Sequence, residues 1–194
     1  MVTDIPFVIW LTGLPSSGKT TIGSGLVMRL KDFGMNVDLL DGDSIRLELS
    51  PDLGFTKQDR DMHAKRVVYL CKLLSRNKIS SIVSLISPYR EFRQYARNEI
   101  TKYNANFIEI YVRCSLETCI KRDRKGLYKK AVNGEIKDLT GLQSPYEAPL
   151  NPEIIADTEN EDVEGVINKI ISKLEGLECI ISNKNIITSH SPPS

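Results

Sequence analysis

Histidine and cysteine are scarce in this 194-residue chain. It has two histidines, His63 and His190, and four cysteines, Cys71, Cys114, Cys119 and Cys179, with no pair at CxxC spacing. That excludes a structural zinc site and a disulfide framework, and reads as thiols in a reducing compartment. No apolar run approaches about 18 residues, so a membrane-spanning helix of ordinary length is excluded. The N-terminus carries neither the basic stretch nor the apolar core of a signal peptide, and a cytoplasmic location is expected. A formal net charge of +1 leaves no global field to recruit nucleic acid or a membrane surface. Any electrostatic specialisation must therefore be local. What is present has the balance of a folded domain: 41% hydrophobic and 26% charged residues argue against wholesale disorder. The length suits one domain, residues 1–181, followed by a polar tail over 182–194 that ends Ser-Pro-Pro-Ser.

Short apolar runs alternate with helical periodicities. Residues 7–12, Phe-Val-Ile-Trp-Leu-Thr, read as a buried strand. Ile22, Leu26, Leu30 and Phe33 then form one helical stripe, stopped by Gly34. Further strands are predicted over 36–40, 79–86, 107–112 and 152–156. Helices are predicted from about Thr56 to Asn77, over 91–103, after Ser115, and along the stripe from Val163 to Leu174. Residues 124–150 lose periodicity and read as a long functional loop with room for a short helix. Such alternation predicts a three-layer α/β fold, a parallel five-stranded sheet with helices on both faces. In that architecture ligands bind beyond the carboxyl ends of the strands.

The first such end carries Gly-Leu-Pro-Ser-Ser-Gly-Lys-Thr, residues 13–20, which fits GxxxxGK[ST] between a predicted strand and a predicted helix. This is a P-loop in its confirming context. Inward-pointing amides and a helix N-terminus cradle phosphate. Lys19 reaches the β- and γ-phosphates, and the Thr20 hydroxyl takes Mg²⁺. Gly13, Leu14, Pro15, Ser16, Ser17, Gly18, Lys19, Thr20 and the adjoining Thr21 are the expected ATP-binding residues. No guanine-reading NKxD follows: Asn77-Lys78-Ile79-Ser80 and Asn183-Lys184-Asn185-Ile186 lack the aspartate. No apolar strand ends in Asp-Glu either. Both absences favour a small kinase over a switch or a motor.

The acceptor side is expected at Asp41 and Asp43. Spaced two apart at a strand end, they are predicted to share a face, one carboxylate near Mg²⁺ and the other taking a hydroxyl proton. The competing reading is a solvated Asp-Gly-Asp turn. Arg46, Arg60 and Arg90, taken as a set facing one cleft, imply an anionic acceptor. Phe55 offers either a staple on the following helix or a platform for a base. Residues 121–137 hold seven Lys/Arg against two Asp/Glu, a local +5 that leaves −4 for the rest, and read as a lid closing on phosphates.

These pieces together resemble the adenylylsulfate kinase family. The resemblance rests on GLPSSGKTT (13–21), LDGDSIR (40–46), DLGFTKQDR (52–60), ISPYR (86–90), RDRKGLYKKAVNGEIK (122–137) and TGLQSPYEAPLNPEI (140–154), in family order. It implies a P-loop kinase fold and transfer of the ATP γ-phosphate to the ribose 3′-hydroxyl of adenylyl sulfate. It places Asp43 at that hydroxyl, Arg46 and Arg60 at the phosphosulfate, Phe55 on the adenine, and Ile86 and Ser87 against the same nucleotide. Ser87 is also the family's proposed phosphoserine position. Lys125, Asp138 and Leu139 would close over the acceptor, and Thr158 would lie near the ATP base. Magnesium and a homodimer are likewise implied, and a link to an ATP sulfurylase stays open. Two departures bear on acceptor binding. His63 stands where the family usually has asparagine, and Leu139 where it has phenylalanine. Loss of one aromatic face predicts weaker or less discriminating acceptor binding. A sibling kinase for a cytidine nucleotide, and a nucleotide-binding regulatory subunit without chemistry, are the alternatives.

Overall fold

The computed structural model describes residues 5–180; the tail read at 182–194 lies outside the described residues. Five strands alternate with helices: β1 (Phe7–Thr12), β2 (Val37–Asp41), β3 (Ser80–Ser84), β4 (Asn106–Arg113) and β5 (Ile154–Asp157). They pair throughout in parallel, in the order β2-β3-β1-β4-β5. The predicted architecture is therefore present, with β1 at the centre.

β1 shows why its sequence is apolar throughout. All six residues are buried, because both faces of the sheet are covered. Phe7, Ile9 and Leu11 point into a core shared with α1 (Lys19–Asp32) and α7 (Val163–Gly176). Val8 and Trp10 point the other way, against α3 (Lys57–Arg76) and α4 (Arg90–Thr101). A smaller third cluster gathers Cys114, Cys119, Tyr128, Ala131 and Leu139 under α5 (Leu116–Arg122) and α6 (Leu127–Val132). The four cysteines are all buried, as thiols. Among the described residues no helix is long and apolar enough to cross a membrane.

Three local differences from the sequence reading matter. The 124–150 stretch, read as a loop with room for a short helix, contains that helix as α6. The fifth strand starts two residues later than expected and ends one residue later. A helix went unread: α2 (Gly42–Leu49) begins directly after β2. Asp41 is its N-cap, and its Oδ1 accepts from the amides of Asp43 (3.2 Å) and Ser44 (3.4 Å). Asp41 and Asp43 are thus not two same-face residues of a strand; Asp41 caps a helix whose first turn carries Asp43.

Candidate functional site

The carboxyl ends of β1, β2 and β3 open into one cleft of about 600 Å³. Its floor is the loop between β1 and α1. Gly13 is required there by crowding: a Cβ would sit 2.4 Å from the Val112 carbonyl oxygen. Gly18, the N-cap of α1, has φ +105, which disfavours any side chain. It gives no side-chain cap, so the first amides of α1 remain directed at the loop. Pro15, Ser16, Gly18, Lys19, Thr20 and Thr21 line the cleft. Gly13, Leu14 and Ser17 form the underside instead. Lys19 Nζ donates to the Gly13 carbonyl at 3.0 Å and the Leu14 carbonyl at 2.7 Å. Burial pushes its ammonium down to about 8. Two neutral carbonyls stand in for the anion such a lysine favours. Thr20 Oγ1 donates to Asp41 Oδ2 at 2.7 Å.

The opposite wall gathers residues expected at the acceptor. Asp43, Arg46, Phe55, Arg60, His63, Ile86, Ser87 and Lys125 all line it, as the sequence reading placed them. Lys125, just before α6, pairs with the Asp43 carboxylate, which raises the lysine above its ordinary value. Phe55 remains 56% exposed at the mouth. It is held between guanidinium groups, with Arg46 Cζ 4.5 Å and Arg60 Cζ 5.8 Å from its ring centroid. Thr56 caps α3 in a box with Asp59, so Phe55 and Arg60 occupy the two positions of a helix staple. The apolar partner has been replaced by a cation, and the platform stays open to the cleft. Because the ring packs so little, Phe55→Ala should leave the melting temperature nearly unchanged. An aromatic platform is worth about 1–3 kcal/mol per base, so the KM for an adenine-bearing acceptor should rise about fivefold to a hundredfold. Steady-state kinetics with thermal melts checks both halves.

His63 is buried, with Nδ1 2.9 Å from Ser50 Oγ and, among the described residues, no protein partner for Nε2. Burial first, then Arg46 and Arg66, pushes it down to about 4, so the ring is neutral at pH 7. Ser87 is a cleft residue at φ +43. Its Oγ accepts a hydrogen bond from Trp10 Nε1 at 3.0 Å. Indole cannot take a proton, so it offers no base to activate this hydroxyl.

Three expected residues are placed elsewhere. Arg90 does not join Arg46 and Arg60. It starts α4 and turns to the 147–148 loop, with Nε donating to the Ala148 carbonyl at 2.7 Å. Leu139 is 6% exposed and packs in the third cluster, off the cleft lining. Its side chain therefore sits with α5 and α6 rather than on the cleft wall, where the stacking face was expected. Asp138 is off the cleft lining and reaches it through Arg60: its carbonyl accepts from Arg60 Nη2 at 2.7 Å, and its carboxylate favours the charge on the same guanidinium. On the donor side Thr158 does line the cleft, its Oγ1 donating to the Ser17 carbonyl at 3.0 Å. Arg122, Arg124, Glu161, Asp162 and Val163 line it too and were not singled out. The charge run from Lys121 was the available signal for the two arginines.

Relatives settle which P-loop family this cleft represents. A family model described as adenylylsulphate kinase matches residues 5–157. The chain belongs to that family. A "probable adenylyl-sulfate kinase" of Archaeoglobus fulgidus is 53% identical over 156 residues, covering 80% of this chain and 98% of the relative. An adenylyl-sulfate kinase of Rippkaea orientalis is 48% identical, covering 87% and 91%. Among solved structures, the Mycobacterium tuberculosis APS kinase in complex with AMPPNP and APS superposes with a TM-score of 0.85 at 34% identity. That match spans 88% of this chain and 98% of that one.

Proposed function

We propose that this chain is an adenylyl-sulfate kinase: it moves the γ-phosphate of ATP to the ribose 3′-hydroxyl of adenylyl sulfate, giving 3′-phosphoadenylyl sulfate and ADP. One observation carries the reading. A single cleft joins the phosphate-cradling loop to Asp43, two guanidinium groups and an exposed aromatic ring. The family membership and the relative solved with AMPPNP and APS support it.

In the reaction the 3′-oxygen bonds to the γ-phosphorus as the bond to the β,γ-bridging oxygen breaks. The hydroxyl proton passes to the Asp43 carboxylate, and the electron pair leaves with ADP. Lys19 and the amides of α1 hold the donor phosphates, while Arg46 and Arg60 hold the anionic end of the acceptor. The Asp43–Lys125 pair opens as substrate enters, which frees the carboxylate for the proton and the ammonium for phosphate. The Thr20 hydroxyl and Asp41 carboxylate are hard oxygen donors side by side and fit magnesium. A magnesium ion held there would supply charge neutralisation to the donor phosphates. With the family resemblance we also infer a homodimer working in the cytoplasm in sulfate assimilation.

ADP release with adenylyl sulfate, against an acceptor-free control and a panel of cytidine nucleotides, tests the assignment. Only adenylyl sulfate should accelerate release well above the control. Equal or faster release with a cytidine nucleotide would reassign the acceptor. Ser87→Ala should still turn over, since the transfer is direct. Complete loss of turnover in a folded variant would instead favour a phosphoserine intermediate.

A further inference from the structure

The turn after β3 meets the acceptor, yet most of what fixes it lies outside the cleft. Ser87 sits at φ +43, a conformation that a non-glycine residue adopts only under outside constraint. Three buried groups supply that constraint. Trp10, from β1, donates its indole N–H to Ser87 Oγ at 3.0 Å. Arg93, from α4, donates Nη1 to the Ser87 carbonyl at 2.6 Å. Thr12 Oγ1 lies 2.7 Å from the Ile86 carbonyl, which can only accept, so the threonine donates there. Tyr146 OH, 3.0 Å from the same threonine oxygen, must then donate to it.

Arg93 is 2% exposed, and each of its three side-chain nitrogens donates a hydrogen bond. Its Nε donates to Glu109 Oε1 at 2.7 Å and its Nη2 to the Glu147 carbonyl at 2.6 Å. One guanidinium therefore joins β4, the acceptor turn and the segment after the lid. Donor counting fixes the state of Ser87. Indole nitrogen only donates, so Ser87 Oγ is the acceptor in that pair and keeps its own proton. No protein acceptor takes that proton among the described residues, and Ser87 lines the cleft.

We propose that Trp10 and Arg93 are positioning residues for acceptor binding: from within the core they hold the Ile86–Ser87 turn and leave the Ser87 hydroxyl as a hydrogen-bond donor to the acceptor nucleotide. This rests on the functional reading above. Neither residue lines the cleft, so their effect passes through the turn. It falls on the acceptor and spares ATP, which is held by the β1–α1 loop.

The chain has one tryptophan, which permits an isosteric test. Replacing it residue-specifically with benzothienylalanine substitutes sulfur for the N–H and keeps the shape. Loss of one buried hydrogen bond should raise the KM for adenylyl sulfate about two- to tenfold, with the KM for ATP and the melting temperature little changed. Arg93→Lys, which loses the fork geometry, should raise the acceptor KM further while ATP binding persists. Unchanged acceptor KM in the folded analogue protein, or a parallel rise for both substrates, would overturn the proposal alone. Absence of turnover in the unaltered protein would overturn the functional reading and this proposal with it.

Discussion

Asp43→Asn should lower kcat by about 10²–10⁴-fold while ATP binds as before. Asparagine keeps the size of the side chain and can still accept a hydrogen bond from Lys125, but it cannot take up the acceptor proton. The position is suited to that task. Asp43 sits in the first turn of α2, whose N-cap Asp41 is hydrogen-bonded to Thr20 of the phosphate loop. On the proposed reading, the strand end beside the phosphate loop also places the carboxylate on the acceptor side of the cleft. ATP affinity by calorimetry and kcat on the same preparation separate the two effects. Full turnover in Asp43→Asn would remove this carboxylate from the chemistry.

Lys19→Met should cost at least about 10²–10³-fold in turnover, the usual loss when one donor to transition-state charge is removed. The same substitution should leave the nucleotide-free protein as stable as before, or more so. Lys19 is 8% exposed and is pushed down to about 8 from the ordinary lysine value of 10.5. That shift corresponds to about 3 kcal/mol spent on keeping it charged at neutral pH. The sign follows from proton counting. Between about pH 8 and 10.5 the unfolded chain holds more protons than the folded one, so this group's penalty is full below pH 8 and fades as pH rises through that window. Bound phosphate should restore the proton. ATP binding near pH 9 should therefore take up a proton, and affinity should fall towards about tenfold per pH unit above 8. Calorimetry in two buffers of different ionisation enthalpy reads the uptake. A melting temperature several degrees lower for nucleotide-free Lys19→Met would show that the two carbonyl contacts outweigh the burial penalty.

What the sequence made legible was whatever depends on neighbours along the chain. The apolar run of β1, the glycines at 13 and 18, and Lys19-Thr20 specify strand, loop and helix locally, and all stand as read. The residues expected at the acceptor came from motif strings rather than periodicity, and eight of them line one cleft. The failures have physical causes. Asp-Gly-Asp signals a turn, but aspartate equally caps a helix, and α2 shows the cap was the stronger role. Arg90 and Arg46 look alike as letters; the start of α4 turns one away from the cleft. Leu139 was read as a thinned stacking face, whereas its neighbours in space are Cys114, Cys119 and Tyr128. Trp10 and Ser87 stand 77 positions apart, and no local pattern couples them.

The identity of the phosphorylated product bears hardest on the cleft as described. Incubation with ATP, magnesium and adenylyl sulfate, followed by ³¹P NMR, should show one new phosphomonoester at the ribose 3′-position for each ADP formed, with the phosphosulfate intact. ADP without a 3′-phosphomonoester, or phosphate on any other atom of the acceptor, would refute a site in which Asp43 and the phosphate loop converge on that hydroxyl.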